Sequence, residues 1–140
     1  MEKIPTSQIS ATQVLPYALE TRGIMKLHTK RIYEDAANRD GHRVLVDRVW
    51  PRGVSKEDAR LDDWNKDIAP STDLQKWFDH KDERFAEFKN RYKKELSKHT
   101  NDLKEIASIA KEKQVTLLFG AKDEKYNQAV ILKEYLESNF

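Results

Sequence analysis

The run Val115-Thr116-Leu117-Leu118-Phe119 contains no charge and one polar side chain, and it stands between a lysine-rich segment and Gly120. A strand of alternating polarity can leave one face to water, whereas a continuous apolar run needs cover on both faces. A second run, Val44-Leu45-Val46-Asp47-Arg48-Val49-Trp50, reads as another central strand. A period of two puts Val44, Val46, Arg48 and Trp50 on one face and Leu45, Asp47 and Val49 on the other. Pro51 cannot extend a hydrogen-bond ladder, so the strand is expected to stop there, and Gly53 permits positive φ and close backbone approach. Helical signals fill the interval between the two runs. The order strand, helices, strand, helix predicts parallel neighbours joined by a crossover. The expected fold is therefore a single compact α/β domain, a small mixed or mostly parallel sheet flanked by helices.

The remaining elements follow from periodicity and caps. Lys26 to Tyr33 alternates well enough for a first strand, and Leu61 to Ile68 reads as a short edge strand or an irregular segment. Ser55 is placed to cap one helical turn over Lys56 to Arg60. Ser71, after Pro70, is the expected N-cap of a helix that turns Leu74, Trp77 and Phe78 inward. Asp82 to Lys98 gives the clearest helix, with Phe85, Phe88, Tyr92 and Leu96 in one stripe. Further helices are expected over Asn101 to Lys111 and Tyr126 to Glu137. Residues 1–25 are set apart as an N-terminal extension, read either as a mobile arm or as one helical turn ended by Gly23 and docked on the domain.

Composition narrows the function classes. With 26 Lys+Arg against 24 Asp+Glu in 140 residues, the net charge of +2 gives no global field to draw the chain onto nucleic acid or an acidic membrane. Any preference for anions has to be local. The absence of cysteine rules out disulfides, thiolate catalysis and cysteine-ligated metals. His28, His42, His80 and His99 lack metal-ligand spacing, so no metal site is expected. No apolar run reaches the ~18 residues of a membrane span, and no export signal opens the chain, so a cytoplasmic protein is expected. There is no glycine-rich phosphate loop and no G-x-S-x-G elbow, and no cofactor is expected.

The chemistry concentrates where the strands end. Open α/β sheets bind ligands beyond the carboxyl ends of their strands, and guanidinium groups suit phosphate or carboxylate. If the two central strands are neighbours, Arg48 and Arg52 should face Lys122 and Asp123, with Trp50 offering a ring for stacking. The helix start near Asn127, and that at Ser71, would add backbone donors. Such a cleft would take a small anion, phosphate-bearing or nucleotide-like. The competing reading pairs Arg48 with an acid, leaves Arg52 solvated and buries Trp50. Asp47 and Asp123 are the nearby carboxylates, read more readily as ion-pair partners of Arg48 and Lys122 than as general bases. Two other functions stay open. Lys89, Lys93, Lys94 and Lys98 on the long helix would suit nucleic acid, although the interleaved acids and the near-neutral charge argue against it. A non-catalytic interaction module would make the arginines internal.

The segments KRIYE (30–34), DGHRVLVDRVWPRG (40–53), WNKDIAPSTDLQKWFDH (64–80), FAEFKNRYKKEL (85–96) and VTLLFGAKDEKYNQAVIL (115–132) resemble, in order, the YeaO-like bacterial proteins, a family of unknown function designated DUF488. The resemblance spans nearly everything from Lys26 onward and implies a compact α/β domain. It also implies that Arg48, Trp50, Pro51, Arg52, Gly53, Lys66, Pro70, Ser71, Lys122, Asp123 and Asn127 are signature positions. Gln75 stands where that pattern has a basic residue, and Phe119-Gly120 where it has a tyrosine and a small residue. The family carries no established activity, so it sharpens the site and leaves the reaction open.

Overall fold

In the computed structural model, which describes residues 24–140, a four-stranded sheet runs parallel throughout in the order β1-β4-β2-β3. Its strands are β1 (Leu27–Arg31), β2 (His42–Leu45), β3 (Asp63–Trp64) and β4 (Val115–Phe119). The expectation for the N-terminal extension falls, up to residue 23, outside the described residues. β4 is central, with Leu27 opposite Val115 on one side and Val44 opposite Leu117 on the other. All five β4 residues are buried, so the apolar run is covered on both faces as its composition requires.

The helices are α1 (Lys56–Ala59), α2 (Thr72–Phe78), α3 (Phe85–Leu96), α4 (Thr100–Glu112) and α5 (Gln128–Asn139). The last four share one core with the sheet. Leu74 and Phe78, Phe88 and Tyr92, Leu103 and Ile106, and Ile131 and Leu132 pack with Val44, Val46, Val115, Leu117 and Phe119. Within it Phe78 stacks on Phe88 at 4.2 Å between centroids. The fully buried Tyr92 donates its hydroxyl to Ile68 O at 2.5 Å. Burial, followed by the neighbouring carboxylates of Glu95 and Asp47, holds that hydroxyl well above its ordinary pKa.

The opposite face has a thinner cover. Ile32, Leu45, Leu118 and Ala59 of α1 meet Trp50, Val54 and Leu61 from the loops and Trp64 from β3. Beside this cluster the sheet buries Arg43, whose Nη1 lies 2.5 Å from Asp40 while Nε and Nη2 donate to Ala59 O. Lys30 approaches the same carboxylate at 3.0 Å. Burial opposes the charge on Asp40, but the Ala37 N–H, Lys30 and Arg43 together hold its pKa below the ordinary carboxylate value. A buried charge is tolerable when every neighbour supplies such a partner.

The second strand is shorter than its sequence implies and begins earlier. It covers His42–Leu45, and one further ladder bond, Val46 N–H to Leu118 O, closes it. The expected face shared by Val44, Val46, Arg48 and Trp50 therefore holds only through Val46. The cause is Asp47, whose Oδ2 accepts the Gly120 N–H at 2.9 Å where a backbone carbonyl would continue the ladder. A side chain takes over the hydrogen bond and the main chain is released from the sheet. Val49 is consequently 76 % exposed.

Candidate functional site

Two pockets that share part of their lining, and so form the lobes of one open cleft, lie beyond the carboxyl ends of β2 and β4, walled by the loops there, by α2 and by the start of α5. One lobe, about 670 Å³, is lined by Tyr33, Asp47, Val49, Trp50, Pro51, Arg52, His80, Gly120, Ala121, Lys122 and Asp123. The other, about 350 Å³, is lined by Asp47, Arg48, Val49, Pro70, Thr72, Gln75, Lys76, Asp79, His80, Ala121 and Gln128. Asp47, Val49, His80 and Ala121 belong to both. Both volumes fall within the roughly 300–1,000 Å³ of small-molecule sites.

Asp47 forms the junction. Its Oδ2 accepts from Gly120 N–H, and its Oδ1 accepts from Gln128 Nε2 at 2.5 Å. Its own carbonyl accepts the Trp64 indole N–H at 2.7 Å, which fixes the backbone below the side chain. Burial pushes the carboxyl up to about 6, against the lowering effect of the bonds from Gly120 and Gln128. Among the described residues no cation lies within 4.0 Å of it. Gly120 permits this arrangement, since a Cβ there would sit 2.9 Å from Asp47 Oδ2.

The positive groups divide into two kinds. Arg48 is spent internally, with Nε donating to Pro70 O at 3.0 Å and Nη2 to Ala69 O at 2.9 Å, so it straps the β3–α2 loop to the sheet and presents only its flank to the cleft. Arg31 likewise donates to Ala121 O at 2.9 Å and holds the loop after β4. Arg52 and Lys122 differ. Both are exposed and line the larger lobe, Lys76 is exposed and lines the smaller one, and no described carboxylate lies within 4.0 Å of any of the three. Arg52 is positioned through its backbone, whose carbonyl accepts the Tyr33 hydroxyl at 2.8 Å.

Several other residues singled out in the sequence serve as supports. Asn127 caps α5 by accepting Val130 N–H at 3.1 Å, and its Nδ2 donates to Asp123 O at 2.9 Å, so both ends of its amide are engaged. Asp123 Oδ1 accepts the N–H groups of Lys125 and Tyr126, bonds that set its pKa below the ordinary value. It organises the turn; the expected pairing with Lys122 does not form, and neither does a pairing of Asp47 with Arg48. Ser71 caps α2 through Leu74 N–H and is itself clamped by Glu95, whose two oxygens take Ser71 N–H at 2.9 Å and Oγ at 2.7 Å. Trp50 lines the larger lobe with its indole N–H held by Val54 O at 2.8 Å. Its ring meets Trp64 edge-on at 5.2 Å, and Lys66 covers Trp64 at 4.2 Å. Gly53, at φ 80°, and Lys66 line neither lobe.

The structure adds Thr72, Gln75, His80 and Gln128, which sequence reasoning passed over as site residues. Asp79 and His80 are both left-handed, at φ 49° and 55°, which brings the His80 side chain to the rim of both lobes. Nothing in the local sequence marks this except the polar break after Phe78. The lysine face of α3 is partly neutralised, since Lys89 and Lys93 both approach Glu134 and Arg91 pairs with Glu87. Among the described residues no cluster of His, Asp or Glu is arranged to hold a metal ion, and no helix is long and apolar enough to cross a membrane.

Residues 26–140 match the family model described as the inactive DUF488-N3 subclade. The chain belongs to the YeaO-like DUF488 family. It is 44 % identical over 114 residues to the uncharacterised protein YeaO of Escherichia coli K12, covering 81 % of this chain and 99 % of that one. An uncharacterised protein of Mycobacterium tuberculosis H37Rv is 39 % identical over 111 residues, which cover 79 % and 93 % of the two chains. No solved structure matches.

Proposed function

We propose that this YeaO-like protein binds a small anionic molecule, phosphate-bearing or nucleotide-like, in the cleft at the carboxyl edge of the sheet. The observation that carries the reading is the contrast among the cations. Arg31, Arg43 and Arg48 are committed to internal carbonyls or carboxylates, whereas Arg52 and Lys122 together line the larger lobe, and Lys76 the smaller, without a carboxylate partner among the described residues. Two such charges on the wall of a concave site attract an anion locally in a protein of near-neutral net charge. Binding without turnover is the form of the proposal, since the family model's own description names an inactive subclade. The paired lysines of α3 weigh against a nucleic-acid surface there.

The test is titration calorimetry with phosphate, sulfate, small carboxylates and nucleoside monophosphates, on the native protein and on Arg52→Ala and Lys122→Ala. Each substitution should weaken binding of the preferred anion by about tenfold or more, as expected for loss of one charge-assisted contact. Equal affinity of both variants and the native protein for every anion that binds would overturn the reading.

A further inference from the structure

Resting on that anion-binding reading, we infer that the occupant is a phosphate monoester of a hydroxylated small molecule, such as a sugar or polyol phosphate, with its phosphate toward Arg52 and Lys122 and a hydroxyl donating to Asp47. The two lobes differ in chemistry. Arg52 and Lys122 line only the larger one; the smaller has one uncommitted cation, Lys76, whose charge Asp79 in the same lining offsets, together with Thr72 and Gln75, which can donate and accept. Asp47 lines both, so whatever fills the cleft from end to end passes its carboxylate.

That carboxylate is incompletely used. A carboxylate has about four acceptor positions, and the protein fills one on each oxygen, by Gly120 N–H and Gln128 Nε2. No described cation neutralises it. A bare anion seated beside it would meet like charge in a partly desolvated site, an arrangement that favours a neutral donor at this point. A hydroxyl group satisfies both demands: it donates to Asp47 without adding charge, and its oxygen can accept from Thr72 or Gln75. The phosphate then lies in the other lobe. Discrimination of this type is steep, because a site built to receive a hydroxyl leaves a buried acceptor unpaired when the hydroxyl is missing.

Calorimetry with inorganic phosphate, pyrophosphate, glycerol 3-phosphate and ribose 5-phosphate tests the assignment. On the native protein ribose 5-phosphate should bind about tenfold more tightly than phosphate. Asp47→Asn is isosteric, still accepts from Gly120 and requires the Gln128 amide to turn its oxygen toward the new NH2. It puts a donor where the ligand hydroxyl would donate, so it should erase most of that preference while binding inorganic phosphate as tightly as before or more tightly. Thr72→Val, at an exposed position in the first turn of α2, should reduce the preference without moving the affinity for phosphate, and it covers the case in which Asp47→Asn fails to fold. A purely structural role for Asp47 would shift phosphate and ribose 5-phosphate alike. Equal binding of the two by the native protein, or tighter binding of pyrophosphate than of ribose 5-phosphate, overturns this inference while leaving the anion site standing. Phosphate compounds that bind identically to native, Arg52→Ala and Lys122→Ala proteins would instead remove the reading beneath it.

Discussion

Asp47 does three things with one side chain: it ends the β2 ladder, captures the first residue of the α5 helix through Gln128, and lines the junction of the cleft. The cost is a carboxyl group in a poorly solvated place, with its pKa raised from 3.8 to about 6 by burial. A group whose proton is held more tightly in the folded than in the unfolded chain stabilises the fold below its unfolded pKa, and that contribution is lost as pH rises through the folded value. Stability from this residue therefore falls between pH 4 and 6 and levels off above, by at most roughly 3 kcal/mol. Asp40 acts in the opposite sense, since its pKa is lowered, so the native pH profile is a composite. The clean measurement is the difference in unfolding free energy between Asp47→Asn and the native protein at pH 4, 5, 6 and 7. That difference should move in favour of the asparagine variant as pH rises to about 6 and stay level thereafter; a flat difference would show that Asp47 ionises normally.

At the level of elements, the cleft depends on α2 starting where it does. Ser71 accepts Leu74 N–H as the N-cap and is tied by both its N–H and its hydroxyl to Glu95 on α3, so one residue joins a helix start to a neighbouring helix. Ser71→Ala removes the cap and one charge-assisted bond while leaving Glu95 the backbone N–H. The expected loss is about 2–3 kcal/mol, seen as a melting temperature lower by several degrees, with Ser71→Thr retaining most of the stability. The caps at Ser55 and Ser71 were legible in the sequence because capping is local chemistry, and the parallel pairing of β2 with β4 was legible because apolar runs interrupted by helices leave few topologies. The end of β2 was not. Val44 to Trp50 alternates as a strand should, and only the three-dimensional meeting of Asp47 with Gly120 ends it early. The same limit applies to Arg48, whose carbonyl partners at Ala69 and Pro70 lie more than 20 residues away, and to Gln128, which looks like any helix-start amide until its bond to Asp47 is seen.

Across the whole molecule, the large core and the cleft occupy different parts of one sheet. The helices α2 to α5 and the central strand β4 form the large core, while the cleft is walled by the segments that leave the sheet after Val46 and Phe119, by the outer side of α2 and by the start of α5. Edge strand β3 has only two residues, and the cover over the second face comes mostly from loops and the single turn of α1. Opening free energies should follow this division, because loops with few buried contacts open locally whereas a doubly covered strand opens only with the whole fold. In native-state hydrogen exchange, the amides of Thr116, Leu117 and Leu118 should exchange at the global unfolding limit and those of Val49 and Arg52 far faster. Saturation with an anion that binds through Arg52 and Lys122 should slow exchange across residues 47–53 and 120–127. It should raise β4 protection only by the global stabilisation that ligand binding confers, about 2.7 kcal/mol at ~100 times the dissociation constant. Protection that appears instead along α3, at Lys89 to Lys98, would place the anion on the lysine face of that helix and not at the edge of the sheet.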